Sequence, residues 1–184
     1  MKLENDDYEY IKSEVIDLFE RFDVRCIPIS GFELAMKMGI VLIPYSSLAD
    51  RKQHAAYSIS PDGFLFEPGD GKEYIYYNDS IDYERANMTI LHEIGHDVLG
   101  HHEKMDQQVR EAETAFFAKY AAAPPPLIHR IKPKYPEDIE AFFGISHFAA
   151  QIAYEYYHKW LTQHERVGRY FTYEKRLLEL FSGM

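Results

Sequence analysis

The stretch Tyr83-Glu84-Arg85-Ala86-Asn87-Met88-Thr89-Ile90-Leu91-His92-Glu93-Ile94-Gly95-His96-Asp97-Val98-Leu99-Gly100 decides how the rest of the chain is read. It contains no proline, and Leu91, Ile94, Val98 and Leu99 supply an apolar face at helical spacing, so it reads as an amphipathic helix stopped by Gly100. Residues four apart on a helix point the same way, so His92 and His96 offer two imidazoles to one metal ion. A zinc ion takes such nitrogens at about 2.0–2.1 Å. Glu93, turned about 100° from His92, stands beside the pair rather than between its members. From there its carboxylate can reach a water on the metal without ligating it, which is the position of a general base in metal-assisted hydrolysis. Gly95 keeps bulk away beside the histidines.

A catalytic zinc site leaves one coordination position for water and needs one more protein donor. His102 has the spacing of the long HExxHxxGxxH pattern, but position 99 is Leu99 and the glycine falls one place late, at Gly100. His101 has no such motif behind it. The next helix is expected from about Met105 to Ala121, free of glycine and proline until Pro124-Pro125-Pro126. It offers Glu111 and Glu113, about 200° apart around the helix, so that only one is expected to face the metal. Glu113 shares its side with Val109, Ala112, Phe116, Phe117 and Tyr120, an apolar surface suited to packing on the first helix. Glu111 is expected to be solvated. The expected site is therefore His92, His96 and Glu113 as zinc ligands with Glu93 as the base.

Outward from these helices, Tyr8 to Phe22 has helical periodicity, and Ser30 with Glu33 resembles a capping box opening a short helix that Gly39 stops. Ile40 to Tyr45, Ala55 to Ser60, Phe64 to Phe66 and Tyr74 to Tyr77 read as strands, with a hairpin turn at Pro61-Asp62-Gly63. Downstream, Pro136 to Phe143, His147 to His164 and Thr172 to Phe181 read as helices. The expectation is an α+β fold: a small, mostly antiparallel sheet packed against a zinc-binding helix pair, with a helical C-terminal part. One domain over 1–184 is expected, divided into a zinc-peptidase core over 1–130 and a helical subdomain over 131–184.

Composition narrows the function. The 184 residues include 46% hydrophobic and 15% aromatic side chains, which is enough to form a core. Lys and Arg total 20 against 30 for Asp and Glu, a net charge of -10 that repels phosphate, so direct nucleic-acid binding is not expected. Cys26 is the only cysteine and reads as a small core residue, so no internal disulfide can form. The acidic start at Asn5-Asp6-Asp7 and the lack of a long apolar run point away from a signal peptide or membrane span, and to a cytoplasmic protein.

Several segments together resemble the ImmA/IrrE group of zinc metallopeptidases, gluzincin-like enzymes of bacteria and their mobile elements. Tyr74-Ile75-Tyr76-Tyr77-Asn78-Asp79, then Glu84-Arg85, then His92-Glu93-Ile94-Gly95-His96 with Leu99-Gly100-His101 look like that family's strand, turn and zinc helix. Glu113-Thr114-Ala115-Phe116-Phe117-Ala118, running on to Pro124, looks like its E-A-N-x-F-A segment, with Thr114 and Ala115 departing from the usual Ala-Asn. The likeness covers roughly residues 25 to 130. It implies that Glu113 is the third zinc ligand. It also implies an endopeptidase whose protein substrate is a helix-turn-helix transcriptional repressor, such as one controlling a phage or other mobile element. The alternative is a non-catalytic binding protein that keeps the fold and holds zinc structurally, its water position filled by a further ligand such as His101 or His102.

Two other features have simpler readings. Ile139 to Ala150 has the outline of a DNA-reading helix-turn-helix, but His147 to Trp160 carries only Lys159 as a fixed positive charge, so a packing subdomain is expected. The aromatic cluster Tyr154-Glu155-Tyr156-Tyr157-His158 is expected in the core.

Overall fold

A computed structural model of the protein describes residues 3–69, 71–101 and 105–183. The fold is α+β, with a small mixed sheet and a helical C-terminal part. Two compact units are distinguished, Met1–Leu3 with Ser30–Ala118 and Glu4–Ile29 with Lys119–Met184, so the first helix groups with the last ones.

The unit containing Ser30–Ala118 begins with α2 (Gly31–Met38), which follows α1 (Asn5–Arg21) in the chain. The Ser30 hydroxyl accepts a hydrogen bond from the Glu33 N–H at 3.2 Å, and Gly39 closes the helix at φ 84°, as the capping signals predict. Then come β1 (Val41–Pro44), α3 (Asp50–Ile59), β2 (Gly63–Phe66), β3 (Tyr74–Tyr77), α4 (Tyr83–Val98) and α5 (Gln107–Ala122), whose residues from Lys119 on belong to the other unit. The strand order is β1-β3-β2. β1 runs parallel to β3, with Leu42 opposite Ile75, and β2 runs antiparallel to it, with Leu65 opposite Ile75.

The strand expected at Ala55 to Ser60 is instead the second half of α3. Arg51, Lys52, Gln53, Ala55 and Ala56 are good helix formers, and together they outweigh the β-leaning Tyr57 and Ile59. The Pro61-Asp62-Gly63 turn therefore joins a helix to β2 rather than closing a hairpin.

Helix α4 lies against both α2 and the sheet. Ile90, Leu91 and Ile94 are fully buried, each contributing about 1.5–3 kcal/mol by leaving water. The buried Asn87 accepts from the Gly31 N–H at 2.7 Å, satisfying a donor at the start of α2. A side chain at Gly31 would meet Asn87, Leu91 and Ile90 at 3.1–3.2 Å, and one at Gly63 would meet Thr89 and Tyr76 at 2.8 Å. These glycines allow the backbones of α2 and β2 to reach α4.

The other unit comprises α1, α6 (Pro125–Ile131), α7 (Pro136–Phe143), α8 (His147–Val167) and α9 (Thr172–Leu180). The triple proline ends α5 and also opens α6, where Pro125 and Pro126 occupy first-turn positions whose N–H groups have no helical partner in any case. Gly144 at φ 60° joins α7 to α8. Tyr157 and Trp160 are buried on α8, whereas His158 and Glu155 face water, so only part of the aromatic cluster is core. The buried Glu174 side chain accepts from Trp160 Nε1 at 2.6 Å and from the Phe171 N–H at 2.8 Å, so both of its oxygens have donors. Cys26 is exposed rather than buried. It lies outside the regular helices, where nothing packs it into the core. Among the described residues, no helix is long and apolar enough to cross a membrane.

Candidate metal centre

The helical repeat of α4 brings the His92 and His96 rings side by side, with centroids 5.0 Å apart. The third group beside them comes from α5 and is Glu111. Its Oε2 lies 3.3 Å from His92 Nε2 and its Oε1 lies 3.6 Å from His96 Nε2. One ligand atom from each of these residues falls within 4.8 Å of the others, so the group can hold a metal ion. Donors at about 2.0–2.1 Å from a tetrahedral ion stand roughly 3.3 Å from one another, close to the two separations that Glu111 makes with the histidines. Two neutral imidazoles and one carboxylate form a donor set that binds zinc well and leaves one position open.

The electrostatics suit ligation. Burial lowers the pKa of His92, and burial together with the neighbouring His92 and His101 lowers that of His96 to about 4. Both rings are therefore neutral near pH 7, as a metal ligand must be. Glu93 does not join the cluster. Its Oε2 accepts from the Leu65 N–H at 2.9 Å, which ties the carboxyl group to β2. Burial raises its pKa to about 7, against the Leu65 hydrogen bond that lowers it. A carboxyl group poised there can both take and return a proton at neutral pH.

Glu113, the ligand expected from the apolar side of α5, is not brought to the histidine pair. Its Oε2 lies 2.9 Å from Nε2 of His101, whose side chain is only 1% exposed. The buried face of α5 is formed by Thr114, Phe117, Ala118 and Ala121, and the two glutamates flank it on opposite sides. Glu111 thus reaches the α4 histidines from one side while Glu113 reaches His101 from the other. Glu111 is exposed, as expected, yet its carboxylate stands at the α4 histidines; the contact face of α5 is not apolar throughout, since Thr114 lies within it. Its hydroxyl donates to the Arg110 carbonyl at 2.9 Å and lies 3.1 Å from His92 Nε2.

The site also includes His101. Leu99 caps α4, Gly100 takes φ 63°, its N–H bonds the Asp97 carbonyl, and the His101 N–H bonds the His96 carbonyl at 3.0 Å. This paired closure is a Schellman turn, which folds the chain back over the last helical turn. The glycine one place late for the three-histidine pattern therefore delivers His101 to His96, and their Nδ1 atoms lie 3.0 Å apart. A sequence signal for this was present in Leu99-Gly100-His101: a glycine just past the helix end brings the residue after it toward the third residue from that end. His102 lies outside the described residues.

No protein-family model matches the chain, and a search among characterised proteins returns no match.

Proposed function

We propose that the protein is a zinc-dependent endopeptidase that works at His92, His96 and Glu111, with Glu93 as its proton carrier. The observation that carries this reading is the convergence of those ligand atoms within 4.8 Å, with Glu93 next to His92 in the chain and its carboxyl held by the Leu65 N–H. A bound zinc ion would supply Lewis acidity, polarising a carbonyl and acidifying a water. The Glu93 carboxyl would take a proton from the water that attacks the peptide carbonyl and return it to the departing amine nitrogen. The C–O bond forms first and the C–N bond breaks once the amine nitrogen is protonated, so one water is consumed for each bond cut.

The non-catalytic alternative requires a further protein ligand at the water position. His101 is a poor candidate for that role, since both of its ring nitrogens face other groups, His96 and Glu113. Among the described residues, the group that could hold a metal has no member beyond His92, His96 and Glu111. The substrate class follows from the family resemblance: a helix-turn-helix repressor, cut to release the genes it silences.

The test is to incubate the zinc-loaded protein with a small helix-turn-helix repressor encoded beside it and to identify the fragments by mass. Cleavage that stops on chelation and is missing in Glu93→Gln supports the reading. A repressor left whole by the zinc-loaded protein contradicts the substrate assignment.

A further inference from the structure

We propose that His101 and Glu113 are positioning residues that fix the ring of His96 in the tautomer needed to present Nε2 to the metal. The inference rests on the zinc reading above. The three side chains form one chain of contacts, His96 Nδ1 to His101 Nδ1 at 3.0 Å and His101 Nε2 to Glu113 Oε2 at 2.9 Å. Only one distribution of protons satisfies every contact when His96 gives Nε2 to a metal. His96 carries its proton on Nδ1 and donates it to the bare Nδ1 of His101. His101 then carries its own proton on Nε2 and donates it to the Glu113 carboxylate. Metal-ligating histidines commonly pass their second N–H to a carboxylate, which orients the ring and raises its basicity. Here a buried imidazole spans the gap between ligand and carboxylate. The Schellman turn at Gly100 supplies the reach on one side, and the position of Glu113 around α5 supplies it on the other.

This gives the two glutamates of α5 different tasks. Glu111 meets the metal, and Glu113 holds the residue that holds His96.

The experiment measures zinc affinity by competition with a chromophoric chelator, and reads the His96 tautomer by long-range proton–nitrogen NMR. His101→Leu and Glu113→Leu should each weaken zinc by about 10–100-fold. The double variant should lose no more than His101→Leu alone, since both changes break one chain of contacts. Glu113→Gln keeps an oxygen acceptor for His101 and should fall between the wild type and Glu113→Leu. In the metal-free wild type His96 should carry its proton on Nδ1, and this preference should fade in His101→Leu. If His101→Leu does not fold, the two Glu113 variants carry the same comparison. Unchanged zinc affinity in the folded variants, with tight binding by the wild type, overturns the positioning role alone. A wild type that binds no zinc overturns the metal reading and this inference together.

Discussion

The Glu111 carboxylate lies 3.3 Å from Nε2 of His92, although the Glu111 side chain is half exposed at 51%. With His96 these two residues form a group that could hold a metal ion, and the proposed zinc site makes Glu111 its third ligand. Glu111→Ala should therefore remove stoichiometric zinc, whereas Glu113→Ala should keep it at reduced affinity. Metal content after gel filtration at matched protein and zinc concentrations distinguishes the two. The reverse pattern would move the ligand role to Glu113.

Replacing Glu93 separates chemistry from binding. Glu93→Gln keeps a group that can accept from the Leu65 N–H, and it leaves the ligand cluster untouched. Zinc content should be unchanged, while peptide cleavage should fall by about 10²–10⁴-fold, the usual contribution of a general base. Cleavage at the wild-type rate would remove Glu93 from the mechanism.

The packing of α4 on α5 is tight at Gly95. A Cβ there would sit 2.9 Å from Cδ1 and 3.2 Å from Cγ of the fully buried Phe117. Gly95→Ala gains about 1 kcal/mol of helix propensity, but overpacking a filled core costs about 1–3 kcal/mol. The clash should win, lowering the urea midpoint and weakening zinc by displacing the helix that carries Glu111. Adding Phe117→Leu should recover part of both losses, and denaturation with metal titration reads the two effects separately.

Much of this arrangement was legible in the chain itself. Ser30, Gly39, Gly100 and Gly144 marked helix ends because capping and left-handed backbone are local properties. His92, Glu93 and His96 were legible because a helix fixes which residues share a side. The choice between Glu111 and Glu113 was not, since it depends on how α5 is rotated against α4, and a buried threonine at the contact shifts what an apolar stripe would suggest. Around Ala55 the deciding signal was local instead: Arg51 to Ala56 favour helix and outweigh the β-leaning Tyr57 and Ile59.

The second unit has its own pH dependence. His129 on α6 lies 3.0 Å from the Tyr157 hydroxyl, with its ring centroid 5.6 Å from that of Trp160 and 6.3 Å from that of His164. Burial lowers its pKa from the ordinary 6.5, helped by His164 and Lys132 and opposed by Glu165. The folded state thus binds fewer protons than the unfolded chain. Its contribution to stability is complete above pH 6.5 and is lost as pH falls below that toward the folded-state value. Trp160 is the chain's one tryptophan and reports this unit directly. Its fluorescence should show the urea midpoint falling between about pH 7.5 and 5.5, and His129→Gln should flatten that fall. Identical profiles for the two proteins would exclude His129 as the source.

The most direct measurement of the central claim is the anomalous diffraction of a zinc-loaded crystal at the zinc absorption edge. A single strong peak should lie about 2.0–2.2 Å from Nε2 of His92, Nε2 of His96 and a carboxylate oxygen of Glu111, with His101 and Glu113 behind His96 and outside the coordination sphere. A peak coordinated by Glu113 or His101, or no peak at the α4 histidines, would contradict it.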